Sequence, residues 1–273
     1  MKELRGKTAV VTGGGSGIGR GIVLAAAAEG MNVVVADIDE KAAGAAAAEA
    51  QAAGVKALAV RTDVTKAEAV QALADRAFAE LGGVHLLCNN AGVGTFKPML
   101  ETTAADWRWV LAVNLDGVVN GLVAFLPRMA AQEGESHIVN TASTAGLMAV
   151  TGLGIGPYTA SKYAVVGISE KLRNEVSEFG VGVSVLCPGG VRTNLMSGGR
   201  NRPDELGGPE APHPDILAGG KDPLEVGRIV IRGVKDNQAY LFTDLSILDG
   251  VTARFDAIKA DIERTRAILA AGV

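Results

Sequence analysis

Short valine-rich apolar runs alternate with longer alanine-rich segments along most of the chain. Near-continuous apolar runs, such as residues 8–11 and 183–186, are typical of strands buried on both faces. In chain order the pattern predicts strand 7–12, helix 17–29, strand 32–36, helix 39–53, strand 56–61, helix 66–81, strand 84–88, helix 102–131, strand 137–141, helix 157–179, strand 182–187, helix 223–236 and strand 239–243. This alternation predicts an α/β fold, a doubly wound parallel sheet of about seven strands with helices on both faces.

Residues 194–222 interrupt the alternation with four prolines, six glycines and little periodicity. Long loops in compact domains are usually functional lids or disordered, and this one follows a strand that ends at the predicted site. We therefore predict a lid over a substrate in preference to a passive insertion. The segment ends at Asp222, Pro223 and Glu225, which predict a helix start with a capping box.

The C-terminal segment has apolar residues at spacings of three and four, which predicts an amphipathic helix at about 246–270. The residues are Ile247, Val251, Phe255, Ile258 and Ile262. Core packing and a subunit contact both explain this pattern, and packing is the favoured interpretation. The whole chain, 1–273, is interpreted as a single domain, with two small domains as the less economical alternative.

Composition and charge narrow the possible partners. The chain of 273 residues is 48% apolar, its net charge is −4, and its Lys and Arg are scattered, so no nucleic-acid partner is expected. The N-terminal residues leave no room for a signal peptide, and no apolar run reaches membrane-spanning length, so a cytoplasmic protein without a membrane partner is predicted. Cys88 and Cys187 lie in apolar runs without other ligands at metal spacing, which favours reduced, buried thiols and no metal site.

A glycine-rich loop, TGGGSGIG at 12–19, joins the first strand to the first helix. Gly13 can turn tightly, Gly17 allows the backbone to approach a pyrophosphate, and Gly19 allows close helix packing, while the helix N-terminus supplies donors. A tight turn alone explains one glycine but not five in this loop. We predict that a dinucleotide contacts Gly13, Ser16, Gly17, Ile18 and Gly19.

Asp37 ends the second strand, where a carboxylate accepts both adenosine-ribose hydroxyls of NAD and repels a 2′-phosphate. Neither Ser16 nor Ile38 offers a positive charge to a phosphate, so NAD is predicted and NADP is less favoured; a mobile Arg61 would complicate this choice. The alternative for Asp37 is a helix cap, for which Asp39 is better placed.

Two further groups lie at the same edge of the sheet, where ligands of open α/β sheets bind. Each group alone is ordinary turn chemistry, and the shared edge makes them cofactor candidates. The candidates are Asp63 and Val64 after the third strand, and Asn90, Ala91 and Gly92 after the fourth.

Tyr158 and Lys162 are four residues apart in a predicted helix, so both lie on one helix face. A free phenol titrates near 10, and a neighbouring positive charge favours the phenolate. We therefore predict that Lys162 lowers the Tyr158 pKa and makes it a general base near neutral pH. With Ser143 upstream and the glycine-rich loop, this pair indicates hydride transfer on a nucleotide cofactor.

Over residues 5 to 245 the sequence resembles the short-chain dehydrogenase/reductase family, whose fold is Rossmann-like. The resemblance rests on the motifs TGGGSGIG, Asp63, NNAG at 89–92, Asn114 in VLAVNLDG, Ser143 in IVNTAS, YTASK at 158–162 and PGGVRT at 188–193. It implies a secondary alcohol or ketone as the small-molecule substrate, and together with the long apolar helices it suggests a homodimer or homotetramer.

The resemblance also implies a role for each matching residue. Tyr158 would be the general acid/base, Ser143 would hydrogen-bond the substrate oxygen, and Lys162 would lower the Tyr158 pKa and hold the nicotinamide ribose. Asn114 would position a water in the proton relay. Thr193 and the Val191 backbone of the PGGVRT motif would hold the nicotinamide carboxamide, and Pro188 of the same motif would contact the cofactor.

Two features depart from the usual family pattern: an enlarged loop at 148–156 between Ser143 and Tyr158, and a C-terminus that continues as a helix. Within the family, GPYTASK, the lid and KDNQAYLF followed by a helix are similar to the branch of Cα-dehydrogenases for lignin-derived aryl ethers and bulky-ketone alcohol dehydrogenases. That likeness implies a bulky, aromatic substrate. The lid residues Leu195, Met196, Leu206 and Ile216 are compatible with an apolar substrate.

Two other functions remain open. A catalytically silent nucleotide-sensing regulator would bind the cofactor without needing Asn114, Ser143, Tyr158 and Lys162 together. An epimerase or dehydratase that recycles its NAD would use a similar Tyr and Lys, but generally with a longer substrate domain. A serine hydrolase is disfavoured because His85, His137 and His213 lie near no nucleophile elbow, and Trp107 and Trp109 are interpreted as packing residues.

Overall fold

The computed structural model describes residues 1–271 as seven strands and eight α-helices around one sheet. The strands are β1 Thr8–Thr12, β2 Asn32–Asp37, β3 Ala57–Arg61, β4 Leu86–Asn89, β5 Ser136–Thr141, β6 Val181–Cys187 and β7 Tyr240–Phe242. The helices are α1 Gly17–Ala28, α2 Glu40–Ala52, α3 Ala67–Leu81, α4 Ala104–Leu111, α5 Gly117–Ala131, α6 Gly156–Val176, α7 Pro223–Lys235 and α8 Ile247–Ala270. The strand order is β3-β2-β1-β4-β5-β6-β7 and every pairing is parallel, which confirms the predicted fold class.

The sheet separates two layers of helices, because alternate residues of each strand face opposite sides. In β1, Ala9 and Val11 pack on one side with α1, α2 and α7, while Val10 packs on the other side with α3, α5 and α6. The strand order reverses between β1 and β4, so the connections that follow these strands leave the sheet on opposite faces and open a crevice at its carboxyl edge.

The predicted helix 102–131 is interrupted in the structure. It comprises α4, a π-helical segment Ala112–Asp116 and α5, and a short 3₁₀ turn, Met99–Glu101, precedes it. Thr103 and Asp106 form a capping box at the start of α4. The π segment contains Asn114, whose side chain hydrogen-bonds the backbone of Val93 in the loop after β4. Such π segments are frequent at functional sites.

The stretch Ala104–Ala131 is long and apolar enough to cross a membrane, with a mean hydropathy of 1.7 in its most apolar window, and a core helix of a soluble protein meets the same criterion. Phe125 and Met129 are fully buried within the layer that packs on the sheet. We interpret the stretch as a core helix on this basis. That the chain has no membrane partner stays a prediction.

The start of α7 is confirmed, but its capping box is not. Asp222 accepts a hydrogen bond from the Leu224 amide at 2.9 Å, as an N-cap does. Glu225 instead pairs with Lys221 at 3.0 Å, and this contact takes its carboxylate away from the cap.

The predicted C-terminal helix forms, but the interpretation of its apolar face as core is wrong. Only Ile247 is buried, and 49% of Phe255, 41% of Ile258 and 54% of Ile262 are exposed. The spacing of apolar residues in the sequence predicts that a helix has an apolar face, but it does not predict which surface packs against that face. A homodimer or homotetramer, which would offer such a cover, stays a prediction.

Both cysteines are free thiols in the described residues. Cys88 and Cys187 are fully buried at the ends of β4 and β6. Burial raises both thiol pKa values, that of Cys187 to about 12, because the low-dielectric interior disfavours the thiolate. Such thiols are unreactive packing groups, as the sequence predicts.

Candidate active site

A cavity of about 440 Å³ follows the carboxyl ends of β1 to β6. Most residues predicted from the sequence to contact a cofactor or substrate line this cavity. They are Gly13, Ser16, Gly17, Ile18, Asp37, Asp63, Val64, Asn90, Ala91, Gly92, Tyr158, Lys162, Pro188 and Thr193. The other predicted residues support the lining from behind or beside it: Gly19, Asn114, Ser143 and Val191.

The glycine-rich loop packs without room for side chains. Gly13 has φ +63° and a Cβ there would lie 2.9 Å from the Ala91 Cα. Gly17 has φ +51° and touches the Thr193 side chain, so the loops after β1 and β6 meet across the cavity. A Cβ on Gly19 would lie 2.0 Å from the Gly13 carbonyl oxygen, which confines this residue to packing α1 against the loop.

Asp37 ties the end of β2 to the glycine-rich loop. Its carboxylate accepts hydrogen bonds from the Gly15 amide at 2.9 Å and from the Asp39 amide at 3.0 Å. Asp39, and not Asp37, caps α2, since its side chain accepts from the amides of Lys41 and Ala42. Each oxygen of Asp37 accepts one bond from the described residues and can accept another, and Asp37 lines the cavity.

Thr12 joins the ends of β1 and β4, and sequence reasoning did not single it out. Its hydroxyl oxygen accepts from the Asn90 and Ala91 amides at 2.9 and 3.1 Å. The Asn90 side-chain amide donates back to the Thr12 carbonyl at 3.0 Å, and the Thr141 hydroxyl donates to the Asn90 Oδ1 at 3.3 Å. This small network fixes the floor of the cavity, and its only sequence signal is a buried threonine at a strand end.

Asp63 and Val64 form the wall beyond β3. The Asp63 Oδ1 accepts from the Thr65 amide at 3.0 Å and from its hydroxyl at 2.8 Å, which leaves the second carboxylate oxygen without a hydrogen-bond partner among residues 1–271. The Val64 carbonyl accepts from the Asn120 side chain of α5 at 2.9 Å. The turn is therefore held from both sides.

Tyr158 and Lys162 line the middle of the cavity, and the fully buried Asn114 lies behind this lining, where both Asn114 and Lys162 approach Gly92. Lys162 Nζ lies 5.4 Å from the Tyr158 ring centroid and donates to the Thr141 carbonyl at 2.8 Å. Asn114 Oδ1 accepts from the Val93 amide at 2.8 Å, and its Nδ2 donates to the Val93 carbonyl at 3.0 Å. The same Nδ2 donates to Ser161 Oγ at 3.1 Å, so Asn114 is immobilised between the loop after β4 and α6.

Burial dominates the ionisation of the two central groups. It lowers the pKa of Lys162 to about 8, and it raises the pKa of Tyr158 above its ordinary value, which a hydrogen bond with Ser143 partly offsets. The prediction of a lowered Tyr158 pKa is therefore wrong for this arrangement. The physical reason is that the Lys162 ammonium is bonded to the Thr141 carbonyl, and that burial of the phenol outweighs its neighbours.

The segment predicted to be a lid lines one end of the cavity with both polar and apolar residues. It contains two 3₁₀ segments, Asn194–Asn201 and Asp204–Leu206, and Leu195 and Leu206 line the cavity. Met196 of the same segment is buried without lining the cavity, and Ile216 is exposed and does not line the cavity either. Trp109 is a buried packing residue, as predicted, and its ring also lines this end of the cavity.

Many lining residues were not singled out from the sequence. They follow strand ends or belong to α4 and the lid: Ile38, Thr62, Thr65, Lys66, Val93, Trp109, Ala112, Val113, Thr141, Ala142, Asn194, Gly198, Arg200, Asn201, Pro203 and Glu205. Proximity to a strand end was the available signal for half of them. Residues 200–206 lie within the segment predicted to be a lid, whereas nothing in the sequence indicated that α4 would close the other side.

Comparison with known proteins shows which family the chain belongs to. The family described as short chain dehydrogenase matches residues 7–203. A C alpha-dehydrogenase of Sphingobium sp. is 34% identical over 267 residues, which cover 94% of this chain and 87% of the relative. A 1-deoxy-11-beta-hydroxypentalenate dehydrogenase of Streptomyces exfoliatus is 35% identical over 94% of this chain and 90% of that protein.

The fold likeness extends over the whole chain. The crystal structure of a short chain dehydrogenase/reductase from Burkholderia phymatum in complex with NAD has 39% sequence identity and a TM-score of 0.89, covering 96% of this chain and 97% of that one. The similarity to a C alpha-dehydrogenase confirms the finer resemblance that the sequence motifs indicate.

Proposed function

Because this chain belongs to the short-chain dehydrogenase/reductase family, we propose that it is an NAD-dependent oxidoreductase that interconverts a secondary alcohol and a ketone, with Tyr158 as general acid/base. The observation that carries the proposal is the meeting of Tyr158, Lys162 and Asn114 beside a cavity that extends from Asp37 to the lid. A sensor would need the cavity but not the buried phenol and amine at its centre.

The residues present suit a dinucleotide along the first half of the cavity. The glycine-rich loop leaves no space for side chains between α1 and the loop after β4, and the N-terminus of α1 presents free backbone donors to a pyrophosphate. Asp37 offers acceptors for ribose hydroxyls and a negative charge against a 2′-phosphate, which favours NAD over NADP. When bound, NAD supplies the hydride acceptor of the reaction.

Side chains of the protein transfer the proton of the substrate hydroxyl. In reduction, the Tyr158 phenol, which burial keeps protonated, donates its proton to the substrate oxygen, to which Ser143 also hydrogen-bonds. In oxidation, the Tyr158 phenolate, which a nearby Lys162 ammonium would favour, takes the proton of the substrate hydroxyl. Lys162 carries its proton below a pKa of about 8 and then offers a positive charge near the phenol. Asn114 is held by the Val93 backbone and keeps the π segment and α6 in fixed relation, the arrangement that a water relay needs.

The substrate is proposed to be bulky and apolar, with an aromatic group. Val93 and Trp109 form a buried apolar cluster against which Tyr158 and Leu206 pack, so one wall of this end of the cavity is apolar, while Arg200, Asn201 and Glu205 add polar groups at its rim. The similarity to a C alpha-dehydrogenase supports the same class.

Nicotinamide absorbance, followed with purified protein and a panel of secondary alcohols from small aliphatic to bulky aryl, tests the proposal. We expect NADH formation with bulky aryl alcohols, little with NADP, and none in Tyr158→Phe, which keeps NAD binding. Tyr163→Phe, on the same helix but away from the cavity, is the matched control and retains activity. An active Tyr158→Phe enzyme would remove the acid/base assignment, and a blank panel with intact NAD binding would favour a sensor or a cofactor-recycling enzyme.

A further inference from the structure

Arg202 is a charged residue of the lid that is almost completely buried. Only 4% of it is exposed, and Asp106 of α4 is 0% exposed. Charged residues are almost never buried to this extent unless they are paired. The pair lies beside the substrate end of the cavity, so its position affects the residues that would contact a substrate there.

The Arg202 guanidinium has three acceptors on two elements. Its Nη1 donates to the Asp106 Oδ1 and to the Glu210 Oε1, both at 2.6 Å, and its Nε donates to the Leu206 carbonyl at 2.6 Å. The guanidinium carbon also lies 5.4 Å from the Trp109 ring centroid, at the distance of a cation–π contact. The side chain therefore joins α4 to two separate points of the lid.

Lys97 completes the group, which we call the lid cluster: Lys97, Asp106, Arg202 and Glu210. Lys97 Nζ lies 3.1 Å from Asp106 Oδ1 and 2.8 Å from Glu210 Oε1, so two cations face two anions. Although burial acts to raise it, hydrogen bonds from Thr103, Lys97 and Arg202 hold the pKa of Asp106 well below its usual range. The Asp106 carboxyl group is therefore ionised at physiological pH.

The consequence of this geometry falls on Leu206. Its carbonyl is fixed by Arg202, while its side chain packs with the buried cluster of Val93 and Trp109 and lines the cavity. The Trp109 ring is in contact with the same arginine. One guanidinium thus sets the relative position of the two side chains that close the substrate end.

We propose that Arg202 is a positioning residue that, through Asp106 and Glu210, holds Leu206 against Trp109 and thereby sets the affinity for bulky apolar substrates. The proposal rests on the proposed function for its substrate class. The planar guanidinium of Arg202 points its N–H groups in fixed directions, so its bonds to three acceptors define the orientation of the bonded groups as well as their separation. The ammonium group of a lysine at this position would not do so.

Stability alone does not explain the arrangement. Buried ion pairs contribute little net stability compared with apolar residues of similar volume, because the desolvation of the charges offsets their attraction. What such a cluster supplies is a defined position for the groups it bonds. A purely stabilising residue would affect all substrates and the cofactor alike, whereas a positioning residue affects the substrates that touch Leu206.

Arg202→Met tests the proposal, since methionine fills similar space without the fork. We expect KM for a bulky aryl alcohol to rise about tenfold, KM for a small aliphatic alcohol to change less than about twofold, and the NAD dissociation constant to stay unchanged. Arg202→Lys should recover only part of the affinity. Arg232→Met removes an exposed arginine of α7 that pairs with Asp236, and it is the matched control.

A double-mutant cycle tests whether Arg202 affects substrate binding through Leu206. In a Leu206→Ala background, Arg202→Met should raise KM for the bulky alcohol by less than about twofold, because the residue through which it acts is gone. An undiminished tenfold effect in that background would overturn the assignment to Leu206. Asp106→Asn should repeat the KM pattern of Arg202→Met, and it replaces that variant in the cycle if Arg202→Met fails to fold.

Hydrogen exchange separates this proposal from the proposed function. Backbone amides of residues 203–210 should exchange about tenfold faster in Arg202→Met than in the unmodified protein, with no change in β1. If no alcohol is turned over, the proposed function fails, and faster exchange confined to 203–210 still supports the positioning role. Unchanged exchange at 203–210, or an equal KM change for small and bulky alcohols, would overturn the proposal.

Discussion

Asp37 and Asp39 lie two residues apart and have different hydrogen-bond partners. Asp37 accepts from the Gly15 amide in the cofactor loop, and Asp39 accepts from two amides in the first turn of α2. Only Asp37 lines the cavity. The two carboxylates therefore allow cofactor recognition to be separated from helix capping within one short segment.

We predict that Asp37→Ala weakens NAD binding by about 1 to 3 kcal/mol, the scale of hydrogen bonds to charged groups, and reduces discrimination against NADP. Calorimetric titration with both cofactors measures this. Asp39→Ala is the matched control, which should lower the free energy of unfolding by about 1 kcal/mol through loss of the cap and leave NAD affinity unchanged. Equal NAD affinity in Asp37→Ala and the unmodified protein would make Asp37 a structural residue of the loop.

At the scale of elements, α1 and α7 approach more closely than any sequence pattern indicated. A Cβ on Gly21 would lie 1.9 Å from the Pro223 carbonyl oxygen, and one on Gly227 would lie 2.1 Å from the Gly21 carbonyl oxygen. The two helices thus pack backbone to backbone on one face of the sheet. This contact seats the end of the lid, which runs directly into α7, beside the glycine-rich loop.

We predict that Gly21→Ala lowers the free energy of unfolding by about 1 to 3 kcal/mol, because the added methyl group forces the two helices apart. Gly44→Ala, in the middle of α2 with no atom near its Cβ position, should instead raise it by up to about 1 kcal/mol through helix propensity. Denaturant unfolding of both variants measures the difference. A loss of stability in both would indicate that the α1–α7 contact is not what limits Gly21.

Elements that depend on local sequence patterns were predictable, and features that depend on contacts between distant residues were not. Strand runs buried on both faces and glycine-rich turns are local signals, so all seven strands, their helices and the edge that carries Asp37 and Tyr158 were predictable. The π segment around Asn114 was not predictable, because Asn114 there hydrogen-bonds the Val93 backbone, and local periodicity does not report a contact between residues so far apart in the chain. The exposure of α8 and the wall formed by Trp109 depend on which surfaces meet, and periodicity contains no such information.

At the scale of the whole molecule, the buried Lys162 couples the site to stability. Its pKa is about 8 in the folded protein and 10.5 for the free side chain, so burial destabilises the folded state wherever the amine is charged in both states. Between these values the unfolded chain binds more protons, and stability therefore rises with pH. The cost is full below pH 8 and disappears towards pH 10.5, which is opposite in sign to a stabilising ion pair.

We predict that the free energy of unfolding of the cofactor-free protein, compared with Lys162→Met at each pH, rises by about 2 to 3 kcal/mol between pH 7 and 10. Lys162→Met should be the more stable protein at pH 7 and should lack activity, since a cation retained in the interior at a cost in stability is typical of a functional site. The upper limit of pH 10 avoids Tyr158, whose pKa lies above its ordinary value. Lys259→Met, an exposed lysine of α8, is the control and should follow the unmodified protein at every pH. Parallel profiles for the unmodified protein and Lys162→Met would mean that Lys162 keeps an ordinary pKa, and the account of its role beside Tyr158 would then have to start from a fully charged lysine.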